Sequence, residues 1–148
     1  MLPEVKKRYV ETGKVELIFL DFPLESLHPD AMAAAVAAGC AHEQGKFWPF
    51  HDLLFESSAT FGRDDFPEFA KELGLDATAF SECREKDSPK AGIQQDQREG
   101  GFLRLLGTPT FVLGRRIPGK DKVEVLETFG ALSYDEIAQK IDHWLEGS

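Results

Sequence analysis

At 148 residues the chain is one domain's worth, long enough for a sizeable core and too short for two full domains. Its 26 acidic residues outweigh 17 basic ones, and the net charge of -9 argues against nucleic acid or an anionic membrane surface as a partner, since both require clustered Lys and Arg. No apolar run approaches the roughly 18 to 20 residues that cross a bilayer, and no cationic stretch followed by a hydrophobic one opens the chain, so no export signal is visible.

Pro3 to Thr12 predicts a helix, with proline tolerated in the first turn and Gly13 placed for a left-handed C-terminal cap. Lys6-Lys7-Arg8 on this helix reads as a solvated face, too short to bind nucleic acid. Lys14 to Asp21 follows as a strand. Its nearly continuous Val15, Leu17, Ile18, Phe19 and Leu20 fit a strand covered on both faces of an α/β sheet. Phe22-Pro23 ends it, because proline biases the preceding residue away from helix.

From Pro29 to Leu106 the pattern is helical throughout. Asp30 is placed to cap an alanine-rich helix from Ala31 to about Gln44, and Gly45 breaks it. Lys46 to about Ser57 resumes with Phe47, Phe50, Leu54 and, on a flank, Phe55 at helical spacing. Trp48 and His51 fall near that stripe; together they could line a groove, but such stripes are most often core, and His51 reads as a hydrogen-bonded structural residue. Asp64 or Asp65 opens a short helix that Gly74 ends, and Asp76 caps another containing Phe80 and Cys83. Ser88-Pro89 opens a longer helix to Leu106, in which Gly100-Gly101 predicts a kink or a close contact.

Gly107-Thr108-Pro109-Thr110 then runs into the apolar Phe111-Val112-Leu113 and Gly114. Proline offers no N–H to a ladder, so it is confined to strand starts, edges and bulges. From these residues alone, a trans proline opening a strand is the common case. Gly114-Arg115-Arg116 reads as a hairpin connection, Ile117-Pro118-Gly119 as another turn, and Lys122 to Leu126 as a second strand. Ser133-Tyr134-Asp135-Glu136 has the form of a capping box, and Ile137, Ile141, Trp144 and Leu145 give the last helix an apolar face.

Cys40 and Cys83 are 43 positions apart, so they form no redox motif by local spacing, and no further ligand pair suggests zinc. They are either a structural disulfide, contributing roughly 4 kcal/mol through loop entropy, or two buried free thiols behaving as small hydrophobes. No Ser-His-Asp order, carboxylate pair, phosphate-binding glycine loop or metal-ligand cluster stands out, and no cofactor is implied. His28, His42, His51 and His143 are scattered.

Three blocks, in order, resemble the DsbA-like thiol-disulfide oxidoreductases: Lys14 to Leu24 with His28-Pro29, Ala38 to Phe55, and the Thr-Pro strand. The resemblance covers nearly the whole chain. It implies one α/β domain of thioredoxin-like (DsbA-type) fold over residues 1–148, a sheet with a helical insertion at about 30–106, incomplete at the N-terminus. Met1 to Tyr9 looks like the latter half of the helix that carries the family's Cys-x-x-Cys, and this chain contains no such pair. Dithiol exchange needs a low-pKa thiolate with a second thiol one turn away, so the resemblance yields no catalytic residue here.

In such folds a cis Thr-Pro bond keeps an extended backbone exposed beside the redox site. That role, contact with the backbone of cysteine-containing protein or peptide substrates, carries over to Thr108 and Pro109 only. The resemblance also favours the Cys40–Cys83 bridge, and suggests that His28 shapes a loop and that intact relatives work in the bacterial periplasm or cell envelope. An absent interior strand would leave unpaired backbone, at about 1–3 kcal/mol for each buried group. Two flanking strands closing up, or a homodimer formed by strand exchange or edge pairing, would compensate. Two further readings are a non-enzymatic peptide-binding or assembly module and a relative of the kappa-type glutathione transferases and isomerases.

Overall fold

A computed structural model describes residues 1–57, 62–120 and 122–147. The chain divides into two compact units, Met1–Phe19 with Leu105–Ser148, and Leu20–Arg104.

The first unit begins with α1 (Leu2–Val5), which passes directly into a π-helical stretch, Lys6–Val10, and Gly13 then turns the chain with φ +71°. A two-stranded antiparallel sheet follows later in the chain: β1 (Phe111–Arg116) and β2 (Val123–Phe129), with Phe111 opposite Phe129 and a register shift between Leu113 and Gly114. Gly114, Arg115 and Arg116 thus lie inside β1 and not in the hairpin connection. The connection is made further on, where the Ile117 amide donates to the Lys122 carbonyl at 3.0 Å. The reason is steric: a side chain on Gly114 would place its Cβ 2.3 Å from Val123 Cγ1, so the glycine serves close approach of the strands at the bulge.

The last helix, α7 (Tyr134–Glu146), starts with the Ser133/Glu136 capping box. Its Ile137, Ala138 and Ile141 bury against Val5 and Tyr9, with Val15, Phe111, Leu113 and Phe129 packed around them. Tyr9 is fully buried, and its hydroxyl donates to Asp142 Oδ1 at 2.9 Å. Burial and that hydrogen bond push the phenol up to about 12, so it remains a donor at neutral pH. Arg8 belongs to the same tie: its guanidinium donates to Asp142 Oδ2 at 2.7 Å, so the basic cluster is not wholly a solvated face.

Lys14 to Asp21 is not a strand. Residues 15–20 are irregular and join no ladder, and they do not close up against β1, for the described sheet contains β1 and β2 alone. Apolar content favours burial, but a strand exists only where a neighbour accepts its hydrogen bonds, and here none does. Ile18 and Leu20 are accordingly 56% and 53% exposed.

The second unit is helical: α2 (Ala31–Glu43), α3 (Phe47–Glu56), a 3-10 turn at Arg63–Asp65, α4 (Phe66–Glu72), α5 (Ala77–Glu85) and α6 (Ser88–Phe102). Gly45 and Gly74, at φ +71° and +69°, turn the chain after α2 and α4. Asp76 caps α5 by accepting from the Ala79 amide at 2.7 Å, whereas the Asp30 side chain makes no cap bond and accepts instead from Arg63 Nε. α6 runs through Gly100-Gly101 without interruption and stops at Phe102, four residues short of Leu106, where Arg104 adopts φ +55°. Gly100 is buried, which accounts for a glycine there better than a kink does.

The small residues of α2 and the aromatic rings of Phe50, Phe66 and Phe80 form the core of this unit, with Phe50 and Phe80 centroids 5.6 Å apart. Cys40 of α2 and Cys83 of α5 are joined within it by a disulfide, both almost wholly buried. Closing a loop of this length removes denatured-state entropy worth roughly 4 kcal/mol.

Replacing both cysteines by serine is expected to destabilise the unit by that order, read as a lower urea midpoint in far-UV circular dichroism. Phe50→Ala should cost about 3–5 kcal/mol by emptying the core, against about 0.5 kcal/mol or less for the exposed Phe55→Ala. Gly114→Ala should cost about 1–3 kcal/mol through overpacking at the bulge.

Candidate functional site

The segment between α6 and β1 presents Thr108 and Pro109 to solvent, joined by a cis peptide bond. The loop is held at both ends. On the N-terminal side the Thr110 hydroxyl donates to the Gly107 carbonyl at 2.6 Å, closing the turn on itself. On the C-terminal side Phe111 stacks on Phe129, with centroids 5.7 Å apart and planes 18° from parallel. The Pro109 carbonyl lies 4.0 Å from the position a Cβ would take on Gly130, so the end of β2 passes close beneath the loop. Anchored in this way, Thr108 and Pro109 form a bend exposed to solvent at the foot of β1.

No thiol accompanies the loop. The chain's two cysteines are consumed by the bridge between α2 and α5, and neither is free. Among the described residues no group of His, Cys, Asp and Glu could hold a metal ion.

The histidines are dispersed. His51 is only 5% exposed and sits in an aromatic cluster with Phe47, Trp48 and Phe55, with Nδ1 2.9 Å from Asp52 Oδ1. His28 is exposed in the turn before α2, where its amide donates to the Leu24 carbonyl and its carbonyl accepts from Ala31. His42 lines a cleft of about 460 Å³ within the helical unit, and His143 lines a separate hollow of about 470 Å³ beside the Lys140–Glu127 ion pair. The hydrogen bond from Lys140 holds the Glu127 carboxyl below the usual range.

The sequence pattern missed one constellation. Asp21 and Asp96, 75 residues apart, meet in the cleft that His42 lines: the Asp21 amide donates to Asp96 Oδ2 at 3.0 Å. Burial first, and the charge of Asp96 second, push the Asp21 carboxyl up to about 6. No local spacing signals such a pair, since one member lies in an irregular segment and the other on a helix.

A family profile described as thioredoxin matches residues 1–132. The chain is 36% identical over 125 residues to a Na(+)/H(+) antiporter NhaA 3 of Salinispora tropica, covering 84% of this chain and 19% of the antiporter. It is 26% identical over 131 residues to a probable disulfide bond formation protein D of Bacillus anthracis, covering 82% of this chain and 59% of that protein. A similarly named protein of Bacillus cereus is 24% identical over 128 residues, again 82% of this chain and 59% of the relative. The chain thus spans about a fifth of the antiporter's length and little more than half of the disulfide bond formation proteins'. No solved structure matches. The match over nearly the whole chain, the Thr-Pro loop opening β1 and the named relatives place this chain in the DsbA-like family of thioredoxin-fold proteins.

Proposed function

We propose that this chain is the substrate-presenting body of a thiol-disulfide oxidoreductase of the DsbA type, and that by itself it transfers no electrons. The observation that carries the reading is the anchored, exposed Thr108-Pro109 loop with no reactive thiol anywhere in the chain. Exchange begins with a thiolate attacking a disulfide sulfur and ends when a second thiol resolves the mixed disulfide. Cys40 and Cys83 can supply neither step while they are bonded to each other in the core.

The substrates of this reading are cysteine-containing proteins or peptides in extended form, whose backbone would lie along Thr108-Pro109. Residues 1–148 act as one thioredoxin-like domain in which about 30–106 is the helical insertion. Ion transport is not part of the proposal: the likeness to the antiporter covers 19% of that protein, and no helix among the described residues is long and apolar enough to cross a membrane.

A second reading draws on residues 15–20, which join no ladder and expose Ile18 and Leu20. Main chain outside a ladder is open to pairing with another chain. It supports a non-enzymatic peptide-binding or assembly role, including a homodimer built by edge pairing or strand exchange.

The purified chain is expected to show no turnover in insulin reduction or dithiol oxidation, with the Cys40→Ser, Cys83→Ser double variant indistinguishable from it. Turnover that disappears in the double variant would make the two cysteines an active redox pair and overturn the assignment. Light scattering across a concentration series reads the second proposal: a mass that doubles with concentration supports edge pairing, and a constant monomer mass removes the homodimer.

A further inference from the structure

Residues 21–23 lie along α6 inside the helical unit, held by two hydrogen bonds. The Asp21 amide donates to Asp96 Oδ2 at 3.0 Å, and Gln97 Nε2 donates to the Pro23 carbonyl at 3.1 Å. The first bond brings two carboxyl groups into one cleft, of about 460 Å³. Among the described residues the titratable groups lining it are Asp21 itself, Asp96 from α6, and His42 and Glu43 from α2, with no lysine or arginine. Asp21 is half-buried, so its carboxylate loses hydration and lies beside the like charge of Asp96. Protonating one carboxyl relieves both the desolvation and the repulsion.

We infer that Asp21 is a proton-operated latch: with its carboxyl protonated, residues 21–23 sit on α6 against Asp96, and ionisation of that carboxyl releases the segment. The upward displacement of the Asp21 carboxyl from 3.8 to about 6, caused first by burial and then by Asp96, supports this geometry. The sign follows from linkage. The attached form binds the proton more tightly than the released form, so attachment is fully favoured below about pH 4 and weakens as pH rises through about 6. A displacement of two pH units corresponds to roughly a hundredfold change in the attachment equilibrium. The latch controls a defined piece of chain, the entry of the polypeptide into the helical unit directly after residues 15–20.

The test uses the full chain and nuclear magnetic resonance from pH 4 to 8, following the Asp21 side-chain carbonyl carbon and the backbone amides of residues 21–24. The Asp21 carboxyl is expected to titrate near pH 6, with the amides moving at the same midpoint. Asp96→Asn should lower that midpoint, and Asp21→Asn should abolish the transition in the amides. A wild-type midpoint at or below about 4.5 would overturn the proposal without recourse to any variant. So would an amide transition that survives Asp21→Asn, or one that disappears only in His42→Asn. Proton-coupled release of this kind is independent of redox turnover, so its failure leaves the proposed function untouched.

Discussion

The covalent bond between α2 and α5 is the constraint around which the helical unit is organised. It closes a loop of 43 residues and brings the alanine-rich face of α2 against α5, while Phe50 of α3, Phe66 of α4 and Phe80 of α5 fill the space that the small side chains leave. An alanine-rich helix contributes little hydrophobic area per residue, so its stability depends on what packs upon it. The bridge and the aromatic rings supply that partner. A reciprocal pair of hydrogen bonds between Gln44 and the Asp76 backbone, at 2.8 and 3.3 Å, fastens the end of α2 to the start of α5.

That structural use of sulfur also fixes the chemistry. A thiolate active in exchange needs access and a stabilising electropositive setting, and a fully buried bridge among alanines and phenylalanines has neither. The Thr108-Pro109 loop is held by other means. Thr108 and Pro109 are exposed because Thr110 and Phe111 on one side of them, and Gly130 beneath, hold the loop in place. The loop geometry therefore does not depend on a neighbouring dithiol.

Backbone hydrogen bonding accounts for the least conventional part of the fold. Residues 15–20 have a composition suited to a buried central strand, yet lie outside the sheet with much of their apolar surface in water. Val15 alone joins the core of the first unit, while Glu16 is tied to Arg116 of β1 by a two-point ion pair at 2.9 and 2.7 Å. An exposed pair of this kind contributes little, typically 0–1 kcal/mol, so it fixes position more than it stabilises. Immediately beyond, Asp21 and Asp96 supply a charge-sensitive tie to α6. A segment without ladder partners is thus followed by one whose attachment responds to a proton.

The sequence by itself determined whatever depends on neighbours within a few residues. The Ser133-x-x-Glu136 capping box, the Asp76 cap, the glycines that turn the chain after α2 and α4, and the helical stripe of Phe47, Phe50 and Leu54 were all legible, because capping, positive φ and helical periodicity are local. The apolar strand that follows Pro109 was legible as well, because proline punctuates the chain locally. Only the tertiary structure decided the rest. Whether Lys14 to Asp21 became a strand depended on a partner elsewhere in the chain, and whether Gly114 lay in the hairpin or in β1 depended on Val123 across the ladder. Asp21 and Asp96 carry no signal in one dimension, since their interaction arises from burial in a shared cleft. Strand pairing, close packing and charge desolvation are properties of segments brought together by folding, which no local pattern encodes.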